Sequence, residues 1–279
     1  MKKIFLFAII VCLASIASAQ VELPRPSPRA SVMQRIGVTV VTITYSRPGV
    51  KNRVIWGELV PYDKVWRTGA NEATTISFSN DVKIEGENLP AGTYALFTIP
   101  GKTEWTIIFN KAADQWGSND YKQEQDALRV KVKPAEGPDE EWMNFVFRNL
   151  SLNSADVVFR WANLEVQFGI QTDTLRKVMA DCRAAMKDLK ADDDRTPRSC
   201  AQFAAENNGD PAEALQWVGK SISMKEGFAN LATQARLQAK IGKKSVAIQT
   251  AKKALTLAKD APANDVENLK KEMQEWSGN

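Results

Sequence analysis

The sequence predicts an all-β antiparallel domain, a sandwich or barrel, followed by a small all-α helical-repeat domain, so α+β overall. Three observations carry this expectation. Up to Thr172, apolar residues recur with period two in short runs broken by Asn, Gly and Pro, the pattern of half-buried antiparallel strands. At Thr172-Asp173 the period becomes helical. Beyond that point, small residues repeat at a spacing of 33 residues, as in stacked helix pairs. No strand–helix alternation suggests a parallel sheet.

Residues 1–19 read as a signal peptide: Lys2 and Lys3, an apolar run from Ile4 to Ile16, then Ala17-Ser18-Ala19. The apolar run is shorter than a membrane span needs, and no later stretch is apolar enough to be one. Residues 20–35, with "VELPRPSPRAS", read as an extended lead-in, because Pro lacks a donor and biases its predecessor away from helix. Residues 36–172 hold the strands. In "IGVTVVTITY", Ile36, Val38 and Val40 share a face, then Val41, Ile43 and Tyr45 do. That slip of phase predicts a β-bulge or a bend. Separate strands follow at Ile76/Phe78, Val82/Ile84, "GTYALFTI", Trp105/Ile107/Phe109, Leu128/Val130/Val132 and Phe145/Phe147. "ADVVFRWANLEVQFGI" predicts a hairpin, with Val157, Phe159 and Trp161 on one arm and Leu164, Val166, Phe168 and Ile170 on the other.

Residues 173–190 predict a connecting helix with Leu175, Val178, Met179, Cys182, Met186 and Leu189 on one face. "ADDDR" ends it as a solvated linker. In residues 191–279, Gly209 and Gly242, Ala214 and Ala247, Ser221 and Ala254, and Met224 and Leu257 are each 33 residues apart. Asp210-Pro211-Ala212-Glu213 has the N-cap, Pro and acid of a helix start. "GKKSVAIQTAKKALTLAKDAP" resembles the second helix of a tetratricopeptide repeat, although the Trp and Tyr of a typical first half are missing. Asn264 to Trp276 predicts a capping helix. Two repeats are too few for a free solenoid, so they should pack on the connecting helix, the β domain or a protein partner.

The chain of 279 residues contains no histidine. That excludes Ser-His-Asp and Cys-His catalysis, His-ligated zinc and imidazole acid–base chemistry. A net charge of +4 does not indicate nucleic acid. "NKAADQWGSNDYKQEQD" fails the calcium-loop pattern, and its Trp116 reads as a pin holding the loop to the sheet or as a stacking face for a sugar. No cofactor and no metal are expected. After signal cleavage two cysteines remain, Cys182 and Cys200; an exported pair forms a disulfide, and two buried free thiols satisfy the sequence equally.

The densest polar cluster is "LVPYDKVWRTGANEAT", Leu59 to Thr74. Pro61, Gly69 and Asn71 are turn residues. Arg67 suits a carboxylate or phosphate, and Trp66 a cation or sugar ring. Upstream, "TYSRPGVKNRVIWG" adds Tyr45, Arg47, Lys51, Arg53 and Trp56. If the two loops meet at one end of the sandwich, they build a basic, aromatic-lined pocket. The structural alternative is that Arg67 and Glu72 neutralise each other, Asn71 caps the turn and Trp66 plugs the barrel end.

Residues Ser27 to Gln171 resemble the exported bacterial proteins grouped as domain of unknown function family 2911, through "YSRPGVK", "WRTGANEAT" and "AGTYALFTIPG" in order. Asn52 and Asp63 stand where that pattern often has Gly. The resemblance implies export and, often, a helical repeat tail; it implies no activity. Its motif residues are Tyr45, Arg47, Pro48, Arg53, Trp66, Arg67, Thr68, Gly69, Asn71, Glu72 and Thr74.

The expected function is binding by a periplasmic or extracellular protein. Tyr45, Arg47, Arg53, Trp66, Arg67, Asn71, Glu72 and Thr74 would meet a small anionic or carbohydrate ligand, and the helical repeats a protein partner. No catalytic residue is assigned. Two alternatives stand beside this: a carboxylate-dependent glycan hydrolase drawing on Glu58, Asp63 and Glu72, and a purely structural envelope protein.

Overall fold

The computed structural model describes residues 23–278; the segment read as a signal peptide lies outside them. Ten strands precede six helices: β1 (Arg29–Ile36), β2 (Thr39–Ser46), β3 (Thr75–Phe78), β4 (Val82–Ile84), β5 (Glu87–Leu89), β6 (Gly92–Ile99), β7 (Trp105–Asn110), β8 (Asp126–Val132), β9 (Pro134–Arg148) and β10 (Ser154–Gln171). They form two antiparallel sheets, a six-stranded one in the order β1-β2-β3-β6-β7-β8 and a four-stranded one in the order β5-β4-β10-β9. The β4–β5 hairpin crosses to the second sheet between β3 and β6. Inward-facing Ile43, Ile76, Leu96, Phe109, Val157 and Phe168 fill the space between the sheets. Burial of this apolar surface is the main stabilising term of such a sandwich.

The two phase slips in the sequence resolve the opposite way from expectation. The first, predicted as a bulge or a bend between sheets, is a hairpin: β1 pairs with β2 from Arg29↔Ser46 to Ile36↔Thr39, so residues 29–35 are already strand. The second, predicted as a hairpin, is one long strand, β10, whose pairing with β9 shifts between Arg160 and Leu164. Glycine decides between them. Gly37 takes φ +56° at the first of two turn residues, which suits a tight hairpin. "WANLE" has no glycine, and a single residue there, Ala162 at φ +52°, absorbs the slip without reversing the chain.

Gly37 also seats the helical region. Thr174, buried at the start of the first helix, donates its hydroxyl to Leu152 O at 2.9 Å. A Cβ on residue 37 would lie 2.0 Å from Thr174 Oγ1 and 2.8 Å from Leu152 O, so only glycine fits.

The helices are α1 (Thr174–Lys187), α2 (Arg195–Glu206), α3 (Pro211–Met224), α4 (Phe228–Lys240), α5 (Lys244–Thr256) and α6 (Ala263–Ser277). Helices α2 and α4 begin 33 residues apart, as do α3 and α5, so the repeat is a pair of helices. Small residues face the contacts: Ala201, Ala204, Ala214, Ala247, Ala251 and Ala254 are all fully buried. Asp210 caps α3 by accepting from Ala212 N at 2.9 Å, ahead of Pro211. In the linker, Asp193 accepts from Thr196 N and Thr196 Oγ1 at 3.0 and 2.7 Å, bonds that hold its carboxyl below the usual range. A disulfide joins Cys182 of α1 to Cys200 of α2, with Cα atoms 5.8 Å apart. No described helix is long and apolar enough to cross a membrane.

Candidate functional site

The loop from Trp66 to Thr74 continues the line of β3 along β6. Trp66 N donates to Thr98 O at 2.8 Å and Thr98 N to Trp66 O at 2.9 Å. At the far end Leu96 N donates to Thr74 O at 2.7 Å. Between them the chain bulges outward through Thr68 (φ +54°) and Asn71 (φ +58°). Buried threonines tie the bulge: Thr74 Oγ1 donates to Thr68 O at 2.6 Å, and Thr68 Oγ1 to Thr98 Oγ1 at 3.1 Å. The preceding loop takes positive φ at Asn52 and Asp63 (+57° and +58°). These are the two positions where the resemblance puts Gly, and Asn and Asp tolerate that conformation.

The two loops do meet, at Ser46, through backbone and a weak side-chain contact. Ala70 N donates to Ser46 O at 3.3 Å, and Ser46 Oγ to Glu72 Oε2 at 3.4 Å. Most of the expected site residues are nevertheless occupied by the fold. Tyr45 is buried, with its hydroxyl accepting from Phe145 N at 3.2 Å. Arg47 Nε donates to Met143 O at 2.8 Å, fixing β2 to β9. Arg53 is exposed and donates to Val50 O and Gly49 O of its own loop at 3.0 and 2.6 Å. Thr74 is fully buried. Asn71 Nδ2 donates to Ser27 O at 3.3 Å.

Trp66 points into the sandwich, not into a pocket. Its indole N–H donates to Gly69 O at 3.2 Å. Its ring stacks on Trp161 (centroids 5.8 Å, planes 17° apart) and meets Trp56 and Phe159 edge-on at 6.0 and 5.9 Å. With Trp105, which is 5.1 Å from Trp56, these rings plug one end of the β body. The indole N–H groups of Trp56, Trp105 and Trp161 are buried without an oxygen partner; the surrounding ring faces are the electron-rich surroundings available to them.

Glu72 and Arg67 do not neutralise each other. Glu72 pairs instead with Arg25 of the lead-in, at 2.6 Å. That hydrogen bond, with the loop's own backbone, holds the Glu72 carboxyl below the usual carboxylate range. A carboxyl with a lowered folded-state pKa contributes its contact fully above the unfolded value and loses it as pH falls through the folded one. The Arg25–Glu72 tether is therefore expected to release below the ordinary carboxylate range. Carboxyl chemical shifts should give Glu72 a midpoint below that of free glutamate, moving up in Arg25→Gln; a midpoint unmoved by that substitution would refute the pairing.

Arg67 is the exception among these residues. Its Nε is buried without a hydrogen-bond partner, and the rest of the side chain is partly exposed. No carboxylate lies within ion-pairing distance among the described residues, and burial pushes its pKa down. On the other side of the loop runs the 111–121 segment: Ala73 N donates to Gln115 O at 2.9 Å, and Gly117 N to Asn71 O at 3.2 Å. Trp116, bridged through its backbone to Glu72, is 63% exposed, so its side chain does not pin the loop to the sheet. Among the described residues no group of three acids or cysteines gathers to hold a metal. Sequence reasoning missed Arg25, Ser46 and the place of Gln115. Arg25 was visible as a cation in the lead-in, but nothing local ties it to a residue 47 positions away.

No curated protein and no solved structure matches the chain. The family profile described as "Protein of unknown function (DUF2911)" matches residues 27–170, the β body and both loops but not the helices. Since that match covers more than half of the 279 residues, the chain belongs to this family.

Proposed function

We propose that the chain is an exported binding protein whose β domain takes a small anionic ligand, with Arg67 as its counter-charge. One observation carries this reading: Arg67 is a partly desolvated guanidinium with no acid beside it. An uncompensated buried charge is costly, and an incoming carboxylate or phosphate removes that cost through charge-assisted hydrogen bonds. Trp66 is committed to the core, so it is not an aromatic face for this ligand. The Cys182–Cys200 disulfide supports export, because such bonds persist in oxidising compartments. The helices, read as tetratricopeptide-like, offer a separate cleft of about 630 Å³ lined by Arg195, Arg198, Lys225, Phe228, Leu257 and Asp260, suited to a segment of a protein partner. The hydrolase reading lacks a proton donor at Glu72, whose carboxyl is shifted toward the ionised form.

The test is thermal unfolding of wild type and Arg67→Met with phosphate, sulfate, simple carboxylates and acidic sugars. A ligand at about 100 times its Kd stabilises wild type by about 2.7 kcal/mol, and Arg67→Met loses that response. Without ligand, Arg67→Met is expected to melt at or above the wild-type temperature, because it removes an unpaired charge. A variant that melts lower, with wild type indifferent to every anion, would make Arg67 a structural residue.

A further inference from the structure

From Gly227 to Lys259 the chain has no aspartate and no glutamate, but it has Arg236, Lys240, Lys243, Lys244, Lys252, Lys253 and Lys259. This is the α4–α5 pair and the turn after it. Seven positive charges stand there against a net charge of +4 for the entire chain, so the remainder carries a net −3. Three of the seven are engaged within the fold. Arg236 pairs with Glu272 at 2.8 Å, Lys253 pairs with Glu226, and Lys240 donates to Ala205 O and Asn208 Oδ1 at 2.8 and 2.9 Å. Lys243, Lys244, Lys252 and Lys259 are exposed and have no partner among the described residues. A surface helix ordinarily offsets such cations with acids three or four positions away; here none exists to do so.

The apolar residues at the same place are equally exposed. The α4–α5 turn and the first three residues of α5, Ile241 to Val246, lie wholly at the surface, with Ile241 37% and Val246 45% exposed on either side of Lys243 and Lys244. Packing explains why they remain outside. Helix α5 turns Ala247, Ala251 and Ala254 inward, the last two against α4 and α6, which leaves Val246 on its outer side.

We propose that the α4–α5 pair is a docking surface for an anionic lipid bilayer, with Lys243, Lys244, Lys252 and Lys259 at the headgroups and Ile241 and Val246 at the headgroup–acyl boundary. Polybasic segments bind anionic leaflets by their summed charge, without a shaped cleft, and lysine stems extend along apolar surface while their ammonium groups reach the phosphates. An acidic protein would answer the charges alone; the bare Ile241 and Val246 beside the free lysines favour lipid. The inference does not depend on the role of Arg67.

The test is sedimentation of the disulfide-bonded chain starting at Gln20, which omits the apolar residues 4–16 that would enter vesicles themselves. Vesicles are phosphatidylcholine alone or with about one third phosphatidylglycerol. Binding is expected on the anionic vesicles only, and it should disappear in high salt. Lys243→Gln/Lys244→Gln is expected to weaken it about 25-fold, about fivefold per lysine. Ile241→Ser/Val246→Ser should weaken it further without changing its salt dependence. All four positions are exposed, and an unchanged melting temperature verifies folding. Arg67→Met should bind the vesicles as wild type does. Equal sedimentation with both vesicle types, no sedimentation with either, or lysine variants that bind like wild type would overturn the proposal. So would lysine-dependent binding to polyglutamate with no binding to vesicles, which would assign the face to an acidic protein.

Discussion

Trp66→Ala is expected to destabilise the β domain by about 3–5 kcal/mol, the cost of truncating a large buried aromatic side chain. The indole is 9% exposed and touches Trp56, Phe159 and Trp161, so its removal opens a cavity among rings that cannot follow it inward. It also frees Gly69 O, the one acceptor tying the indole to the loop. The consequence for function is distinctive, because Arg67 is the next residue. Alanine keeps the backbone bridge to Thr98 but removes the ring packing and the bond to Gly69 O that hold the bulge, so any anion response through Arg67 is expected to weaken at temperatures where the sheets remain folded. Trp66→Phe keeps most of the apolar contact and removes the N–H; it should cost about 1–2 kcal/mol. Denaturant unfolding followed by tryptophan fluorescence measures both. A loss below about 1 kcal/mol for the alanine variant would mean the ring cluster is not what holds this end of the sandwich.

The fold class was legible because alternation is a property of neighbours. Trp105, Ile107 and Phe109 announce one face of a strand with no knowledge of the partner sheet, and Gly209 and Gly242 announce a repeat by spacing alone. What alternation does not encode is the third dimension of an interruption. The slips at Val40-Val41 and at Trp161 to Leu164 look alike as patterns; the chain reverses at Gly37 and bulges at Ala162. A closer weighing of glycine against alanine at the two slips would have separated them. The candidate site was legible in location but not in roles. Polar residues in "WRTGANEAT" serve the backbone of a bulge, as the threonines do, and Trp66 belongs to the core because its bridge to Thr98 puts it on the inner face. Arg67 and Glu72 look like an ion pair five positions apart; they part company because Arg25, far away in sequence, reaches Glu72 first.

Replacing Cys182 and Cys200 by serine is expected to lower the stability of the helical region by about 3 kcal/mol, the chain-entropy value for a loop of this length; the bridge spans 18 residues. The effect should be confined to the helices for a geometric reason. Both sulfurs belong to the cluster of Met179, Ala201, Ala204, Ala214, Trp217, Val218 and Leu237, which contains no residue of the β body. Helix α1 meets the sandwich at its N-terminus, through Thr174 and Leu152, and the bridge is the covalent tie from α1 to α2, beside the apolar contacts of Met179 and its neighbours. Besides the apolar contacts, the described side-chain tie between α1 and the repeats is Arg183 to Glu213 at 2.7 Å, an exposed pair of the kind that contributes little. In a Trp217→Phe/Trp276→Phe background, whose remaining tryptophans all precede Thr172, unfolding followed by helical circular dichroism should therefore shift, while the fluorescence transition that reports Trp66 and its neighbours stays in place. If the two transitions fall together, the two parts of the chain unfold as one unit, and the junction at Gly37 and Thr174 couples them more strongly than the disulfide does.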